Sequence, residues 1–135
     1  MYLILSTLPH LLSIIPLIKY YFTYTFGYCN IIILSTLFSS LYHYHQEANH
    51  IITMIDYFFA YYWFAYDVYM GYTYTNDLTR IIFANFVSFI INTQIPYNKF
   101  YVRNHSIWHI INSSKCIYIS TLLRNHLHKT YDKTL

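Results

Sequence analysis

The sequence predicts an all-α protein, a single domain over residues 1–135 built as a multi-pass bundle of about five transmembrane helices. Hydrophobic residues make up 56% of the chain and charged residues only 10%, against about 25% charged residues in a typical soluble domain. Two glycines and three prolines are too few for the many turns of a β architecture. Helices separated by short polar linkers are therefore expected.

The tyrosine content explains why the mean hydropathy, +0.30, is modest for a membrane protein. The hydropathy scale counts the 18 tyrosines as polar. A tyrosine ring is amphipathic, however, and is favoured where a bilayer meets water. Mean hydropathy therefore understates the membrane character of this chain.

Five apolar runs are candidate spans, at residues 3–21, 28–43, 51–70, 78–97 and 106–123. A bilayer core requires roughly 20 helical residues. The second run is short unless its helix begins near Thr25, and Gly27 leaves that start open. Pro9 and Pro16 predict kinks in the first run, which membrane helices tolerate.

A soluble helical protein is the alternative, and it would require a polar stripe on every helix. Run 51–70 offers only Thr53, Asp56 and Asp67 among aromatic and aliphatic residues. The two aspartates are eleven residues apart, about three turns, and share one narrow face. A helix that is apolar nearly all round belongs in lipid or in the core of a large protein. The chain is too short for the latter.

Basic residues predict the orientation in the membrane. If side X holds the N-terminus, an odd number of spans puts the C-terminus on the other side, Y. Side Y then collects five basic residues and side X two, which predicts that Y, with the C-terminus, is cytoplasmic. The five are Lys19, Arg80, Arg124, Lys129 and Lys133, and the two are Lys99 and Arg103.

The scattered charges argue against a nucleic-acid-binding protein, and the two cysteines argue against a fold held by disulfides. The eight lysines and arginines form no patch along the chain, so no nucleic-acid partner is expected. Cys29 and Cys116 lie in or beside apolar runs and are predicted to be buried free thiols.

Three histidines and one carboxylate are predicted to reach the same depth near side X. His43 ends the second run, and Asp56 lies about two turns into the third. His105 and His109, four residues apart on one helical face, begin the fifth run. Ser39 lies one turn before His43. Ionisable groups inside a membrane are costly and usually functional.

Three neutral imidazoles suit a tetrahedral Zn2+ with one open position, as in catalytic zinc sites. Zinc lowers the pKa of a bound water to about 7. Asp56 is the candidate to accept that water's proton or to hold the water in line. Ser39 is the candidate to hydrogen-bond the water or a developing oxyanion, or to orient an imidazole.

Each residue alone has a simpler interpretation. His105 and His109 also fit two interfacial histidines, and His43 fits a loop-edge histidine. Asp56 could pair with Lys115 or with a tyrosine hydroxyl, and Ser39 could bond to its own helix. The shared order and depth favour the site. Of the remaining polar residues in the apolar runs, Asp67 is predicted to face side Y, and Lys115 to snorkel or to pair with a carboxylate. His10 has no evident partner, and His126 and His128 are predicted to be solvated.

The segments SSLYH (39–43) and HSIWH (105–109), with Asp56 between them, resemble motifs of the CREST superfamily. This superfamily includes the alkaline ceramidases, the adiponectin and progestin receptors, GPI-remodelling lipid hydrolases and myomaker-like proteins. Its pattern is Ser-x3-His on an early helix, Asp on the following helix and His-x3-His on the last helix. HSIWH is most similar to the myomaker-like and ceramidase branches.

The resemblance implies an intramembrane zinc enzyme that hydrolyses lipid amide or ester bonds, with membrane lipids as partners. His43, His105 and His109 would be the zinc ligands, with Ser39 and Asp56 beside the water. The family has four helices between its first and last motif helices, where this sequence has room for two. Losing two helices does not change the side of the membrane that the motifs face, because two spans bring the chain back to the same side. A second copy or a partner subunit could then complete the substrate cavity.

Two other functions stay open at this point. One is a non-catalytic multi-pass membrane protein of the same ancestry that acts through helix interactions. The other is a small viral or organellar accessory protein without a metal, in which the histidines are incidental.

Overall fold

A computed structural model describes residues 2–20, 24–45, 49–93, 95 and 99–131, and all secondary structure in these ranges is helical. The all-α fold class is confirmed. Helix α1 continues directly as a 3-10 helix, and four α-helices follow. Their bounds are Tyr2–Thr7 for α1, Leu8–Tyr20 for the 3-10 helix, Phe26–Tyr44 for α2, His50–Tyr74 for α3, Leu78–Thr93 for α4 and Tyr101–Tyr131 for α5.

By length and hydropathy, one described helical stretch, Leu3–Tyr20, is long and apolar enough to cross a membrane. Helix α4, Leu78–Thr93, is apolar but shorter.

The two prolines of the first run appear as a change of helix type. Pro16 lies inside the 13-residue 3-10 helix, and Pro9 lies near its start. Proline has no N–H to donate, and its ring clashes with the carbonyl four residues earlier. Both effects disfavour α-helical bonding, which accounts for a 3-10 stretch longer than usual.

Several helix ends differ from the predicted ones. Helix α2 begins at Phe26 and includes Gly27, where an added Cβ would lie 2.5 Å from the Tyr66 hydroxyl. A larger residue at this position would require the Tyr66 ring to move. Helix α5 has 31 residues and extends beyond run 106–123 in both directions. Position 21 of the first run and positions 94, 96 and 97 of the fourth lie outside the described residues.

The end of α2 and the beginnings of α1, α3 and α5 meet at one end of the bundle, here called the histidine end. Thr7 Oγ1 and Ser40 Oγ are 2.7 Å apart, which joins α1 to the last turns of α2. The rings of Phe38 and Phe59 stack at 5.0 Å between α2 and α3. His43 contacts the second turn of α5. This is the arrangement that an up-and-down order of the helices predicts.

Polar side chains are buried in the bundle beside an apolar core, and many large apolar side chains point outward. On α4, Asn85 is 3% exposed, whereas the adjacent Phe86 is 56% exposed. On α5, His109 is 1% exposed, whereas its neighbour Ile110 is 55% exposed. Soluble proteins leave most polar side chains in water and rarely expose so many large apolar ones.

A group of four polar residues, here called the charge cluster, joins four helices inside the bundle. The Tyr28 hydroxyl donates to Asp67 Oδ1. Lys115 Nζ lies 3.4 Å from Asp67 Oδ2 and donates to Asn85 Oδ1 at 2.8 Å. The ammonium also lies 5.5 Å from the Trp63 ring centroid. Every helix from α2 to α5 therefore contributes to this cluster.

The charge cluster answers two questions that the sequence left open. Asp67 is fully buried inside the bundle, so the expectation that it faces side Y is wrong. Lys115 pairs with Asp67, and the alternative pairing with Asp56 is not the one observed. Asp67 lies three turns beyond Asp56 on α3, and this brings it level with the middle of α5.

Removing one charge of the Asp67–Lys115 pair is expected to destabilise the fold more than removing both. Asp67→Asn or Lys115→Met leaves the other charge buried and uncompensated, which costs about 3–5 kcal/mol. The double variant should lose less. Thermal unfolding of the purified protein in detergent measures the three differences.

The matched control is Asp77→Asn, which removes a partly exposed carboxylate 3.2 Å from Arg80. An exposed pair contributes about 1 kcal/mol or less. The structural role of the charge cluster is contradicted if Asp67→Asn unfolds at the same temperature as Asp77→Asn.

Candidate functional site

Three histidines from two helices meet at the histidine end and are here called the histidine cluster. His43 lies in the last turn of α2, and His105 and His109 lie one turn apart on α5. The Nε2 atoms of His43 and His109 are 3.1 Å apart. One ring nitrogen from each of the three lies within 4.8 Å of the others. The structure thus brings together the three histidines that the sequence singled out.

The histidine cluster spans a gap between α2 and α5. Among the described residues, no Cα atom of α2 lies within 8 Å of one in α5. The ring of His43 meets those of His105 and His109 at centroid distances of 5.1 and 5.2 Å. The ring planes cross at 77° and 89°, so the edges that carry the nitrogens converge instead of stacking.

The geometry of the histidine cluster fits a metal ion. Zinc–nitrogen bonds of about 2.0–2.1 Å in a tetrahedron place two ligand nitrogens about 3.3–3.4 Å apart. The Nε2 atoms of His43 and His109 are separated by nearly this distance. The ring nitrogen of His105 would have to move slightly closer to both of them. The other ring nitrogen of His109, Nδ1, is buried without a hydrogen-bond partner in the described part of the chain, and an ion held by Nε2 does not satisfy it. Such atoms in native proteins often mark a bound water.

The cluster lines a cavity of about 670 Å³ between α2, α3, α4 and α5. Ser39 on α2 and Asp56 on α3 line the same cavity. Asp56 is buried and Ser39 is half-buried. All five residues that the sequence assigned to one site therefore border a single space.

His10 also lines this cavity, although the sequence indicated no partner for it, so that expectation is wrong. Asn112 Nδ2 lies 3.3 Å from His10 Nε2, and the His10 ring meets that of Trp63 at 5.5 Å and 90°. The His10 and His109 ring centroids are 5.6 Å apart. One signal could have found it, because α1 and α5 both begin at the histidine end. A residue at position 10 is then expected near the second or third turn of α5.

Hydrogen bonds between α4 and α5 hold the cavity wall next to the histidine cluster. Ser88 Oγ donates to Asn112 Oδ1 at 2.9 Å, and Trp108 Nε1 donates to the Ser88 carbonyl at 2.9 Å. Asn112 therefore bonds both α4 and His10, one turn from His109. This network fixes the rotation of α5 and with it the direction in which His109 points.

His126 and His128 lie on the last turns of α5, about 25 Å along the helix from His109. They take no part in the histidine cluster. Cys29 and Cys116 are buried free thiols, as predicted.

Comparisons with protein-family models, with curated proteins and with solved structures found no match to this chain.

Replacing Asn112 with Leu is expected to lower the free energy of unfolding. The change removes the donor to His10 Nε2 and the acceptor of Ser88 Oγ, and each buried polar group left without a partner costs about 1–3 kcal/mol. The control is Ser114→Leu, because Ser114 is exposed and bonds only to its own helix. Thermal unfolding that is equally affected in both variants would contradict the role of this network.

Proposed function

We propose that this chain is a multi-pass membrane protein that binds zinc through His43, His105 and His109 and hydrolyses an amide or ester bond of a membrane lipid. One observation carries the proposal. Three imidazoles, a serine and a buried carboxylate from three helices border one cavity inside a bundle whose outer surface is apolar. This combination is also what the resemblance to the CREST superfamily implies.

The distribution of polarity supports the membrane setting. In a bilayer, apolar side chains gain nothing by leaving the surface, whereas polar groups require partners inside the bundle. The exposed aromatic residues and buried polar residues follow this rule. Helices α3 and α5, with 25 and 31 residues, exceed a bilayer core in length. The 16 residues of α4 rise about 24 Å, and a bilayer thins locally around a short span.

The donor set supports zinc rather than a harder ion. Neutral imidazole nitrogen suits zinc, whereas calcium and magnesium prefer oxygen ligands. Three protein ligands leave a fourth position, which is the pattern of catalytic zinc. A bound zinc would make hydroxide available near neutral pH and polarise a carbonyl oxygen.

The other two residues have roles that follow from their chemistry. The Asp56 carboxylate is the general base that accepts a proton on the cavity side. The Ser39 hydroxyl donates to the carbonyl oxygen as negative charge develops on it. Aromatic side chains make up much of the remaining lining, which suits the hydrocarbon part of a lipid.

A non-catalytic membrane protein of the same ancestry is the second candidate function. It is favoured by the two helices, α3 and α4, that lie between α2 and α5, where the family has four. A cavity with fewer walls could keep the metal and lose the reaction.

Zinc content tests the metal site. Protein purified in detergent should carry about one zinc per chain by elemental analysis, because three ligands and an open position form one site. The double variant His105→Ala/His109→Ala should carry none. Its control is His126→Ala/His128→Ala, which removes two histidines of the same helix outside the cluster. Equal zinc in wild type and the His105/His109 variant would refute the assignment.

Turnover tests the reaction. Zinc-loaded protein should release fatty acid from ceramides or lysolipids, and Asp56→Asn should lower kcat about 10²–10⁴-fold without loss of zinc. Ser39→Ala should lower kcat about 10²–10³-fold. Ser40→Ala, a neighbouring serine outside the cavity lining, should keep full activity. Full zinc content with no turnover of either lipid class would favour the non-catalytic function.

A further inference from the structure

The residues that line the cavity differ in exposure from one side to the other. On α2 and α5 the lining includes Tyr42, His43 and His109, all buried. On α3 and α4, side chains that line the same cavity also reach the outer surface: Tyr61 is 62% exposed and Phe89 is 49% exposed. No lining residue of α2, the 3-10 helix or α5 is exposed, so the cavity is covered along these three elements and open on the side of α3 and α4.

The two helices that border this opening approach each other tightly near their connection. An added Cβ at Gly71 would lie 2.8 Å from Ile81 Cδ1, which marks a tight approach near the α3–α4 connection. Asp67 and Asn85, both bonded to Lys115, join the two helices at the next level. The opening lies between this contact and the histidine end.

Aromatic residues form the rim of the opening. Tyr57, Tyr61 and Phe64 are spaced at positions i, i+4 and i+7 on α3, and Phe86 and Phe89 at i and i+3 on α4. Each set forms one stripe on its helix. None of the five side chains carries a charge, so the rim presents no barrier to hydrocarbon.

We propose that the gap between α3 and α4 is a lateral portal through which one acyl chain of a bilayer lipid enters the cavity, with the head group at the histidine end. The inference rests on the proposed function and defines its substrate as a lipid taken directly from the bilayer. The cavity volume, about 670 Å³, is that of a small-molecule site. It accommodates a single chain but not a whole two-chain lipid. A helix from a second copy, about 10 Å across, could cover the rim but not enter.

The chain contains its own reporter for this entry. Its two tryptophans, Trp63 and Trp108, both line the cavity, and Trp63 is only 4% exposed. Trp108→Phe leaves Trp63 as the single fluorophore on the inner wall. It removes one bond to Ser88 but keeps the bond between Ser88 and Asn112 that joins α4 to α5. Bromine atoms quench indole emission over a short range, so a chain inside the cavity quenches Trp63 more strongly than chains on the outer face of α3.

The experiment compares this single-tryptophan protein in two kinds of phosphatidylcholine vesicle, with and without bromine on the acyl chains. The portal predicts a loss of Trp63 emission in the brominated vesicles. Ala60, exposed at the rim between Tyr57 and Tyr61, allows the portal to be narrowed, and Ala60→Phe should restore the emission. Ala65→Phe, an exposed position of α3 outside the lining, should leave the quenching unchanged. The difference between Ala60→Phe and Ala65→Phe separates quenching by a chain inside the cavity from quenching by chains on the outer face of α3.

Three results would overturn the portal. The first is equal emission in both vesicles, and the second is quenching that Ala60→Phe does not reduce. The third is a dimer in light scattering that Ala60→Phe dissociates, because the rim would then bind a second copy. Quenching requires neither metal nor turnover. If the protein is quenched as described but has no zinc and no activity, the portal stands and the proposed function fails. If it binds zinc and is active but is not quenched, the portal fails and the proposed function stands.

Discussion

The structure depends on one constraint: the charged groups inside the bundle require partners on other helices. A buried charge or hydrogen-bonding group without a partner costs several kcal/mol in an apolar environment. Asp67 and Lys115 satisfy each other across α3 and α5, with Tyr28 from α2 and Asn85 from α4 completing the set. Because these bonds are directional, they fix the level and rotation of four helices at once. The helices are held in register by this cluster, while their outer faces carry large apolar side chains.

The same constraint shapes the cavity. The charge cluster closes its lower end, and the bonds of Asn112 to His10 and Ser88 brace its wall beside His109. The remaining lining is largely aromatic. The cavity therefore has a polar end with the imidazole nitrogens and an apolar side along α3 and α4. An amphiphile would be oriented in it with its polar group at the histidines and its hydrocarbon toward α3 and α4.

Much of the fold could be predicted from the sequence. Five helical segments in the predicted order follow from apolar runs and polar linkers, since main-chain hydrogen bonding inside apolar stretches requires helices. The helix ends were less predictable. α5 continues to Tyr131 through a polar segment that a search for apolar runs does not detect. The 3-10 winding around Pro16 depends on how the chain relieves a steric clash, and helical periodicity alone does not reveal it.

The sequence by itself determined which residues could meet, and the tertiary structure decided which of them do. Spacing and the alternation of helix direction are properties of the chain, so they already placed His43, His105 and His109 at one end. The partners of His10 and Lys115 are different, because a side chain at mid-helix can reach several neighbours. Its choice depends on the rotation and crossing of helices, which packing sets. For the same reason the opening between α3 and α4 is visible only once the helices are assembled.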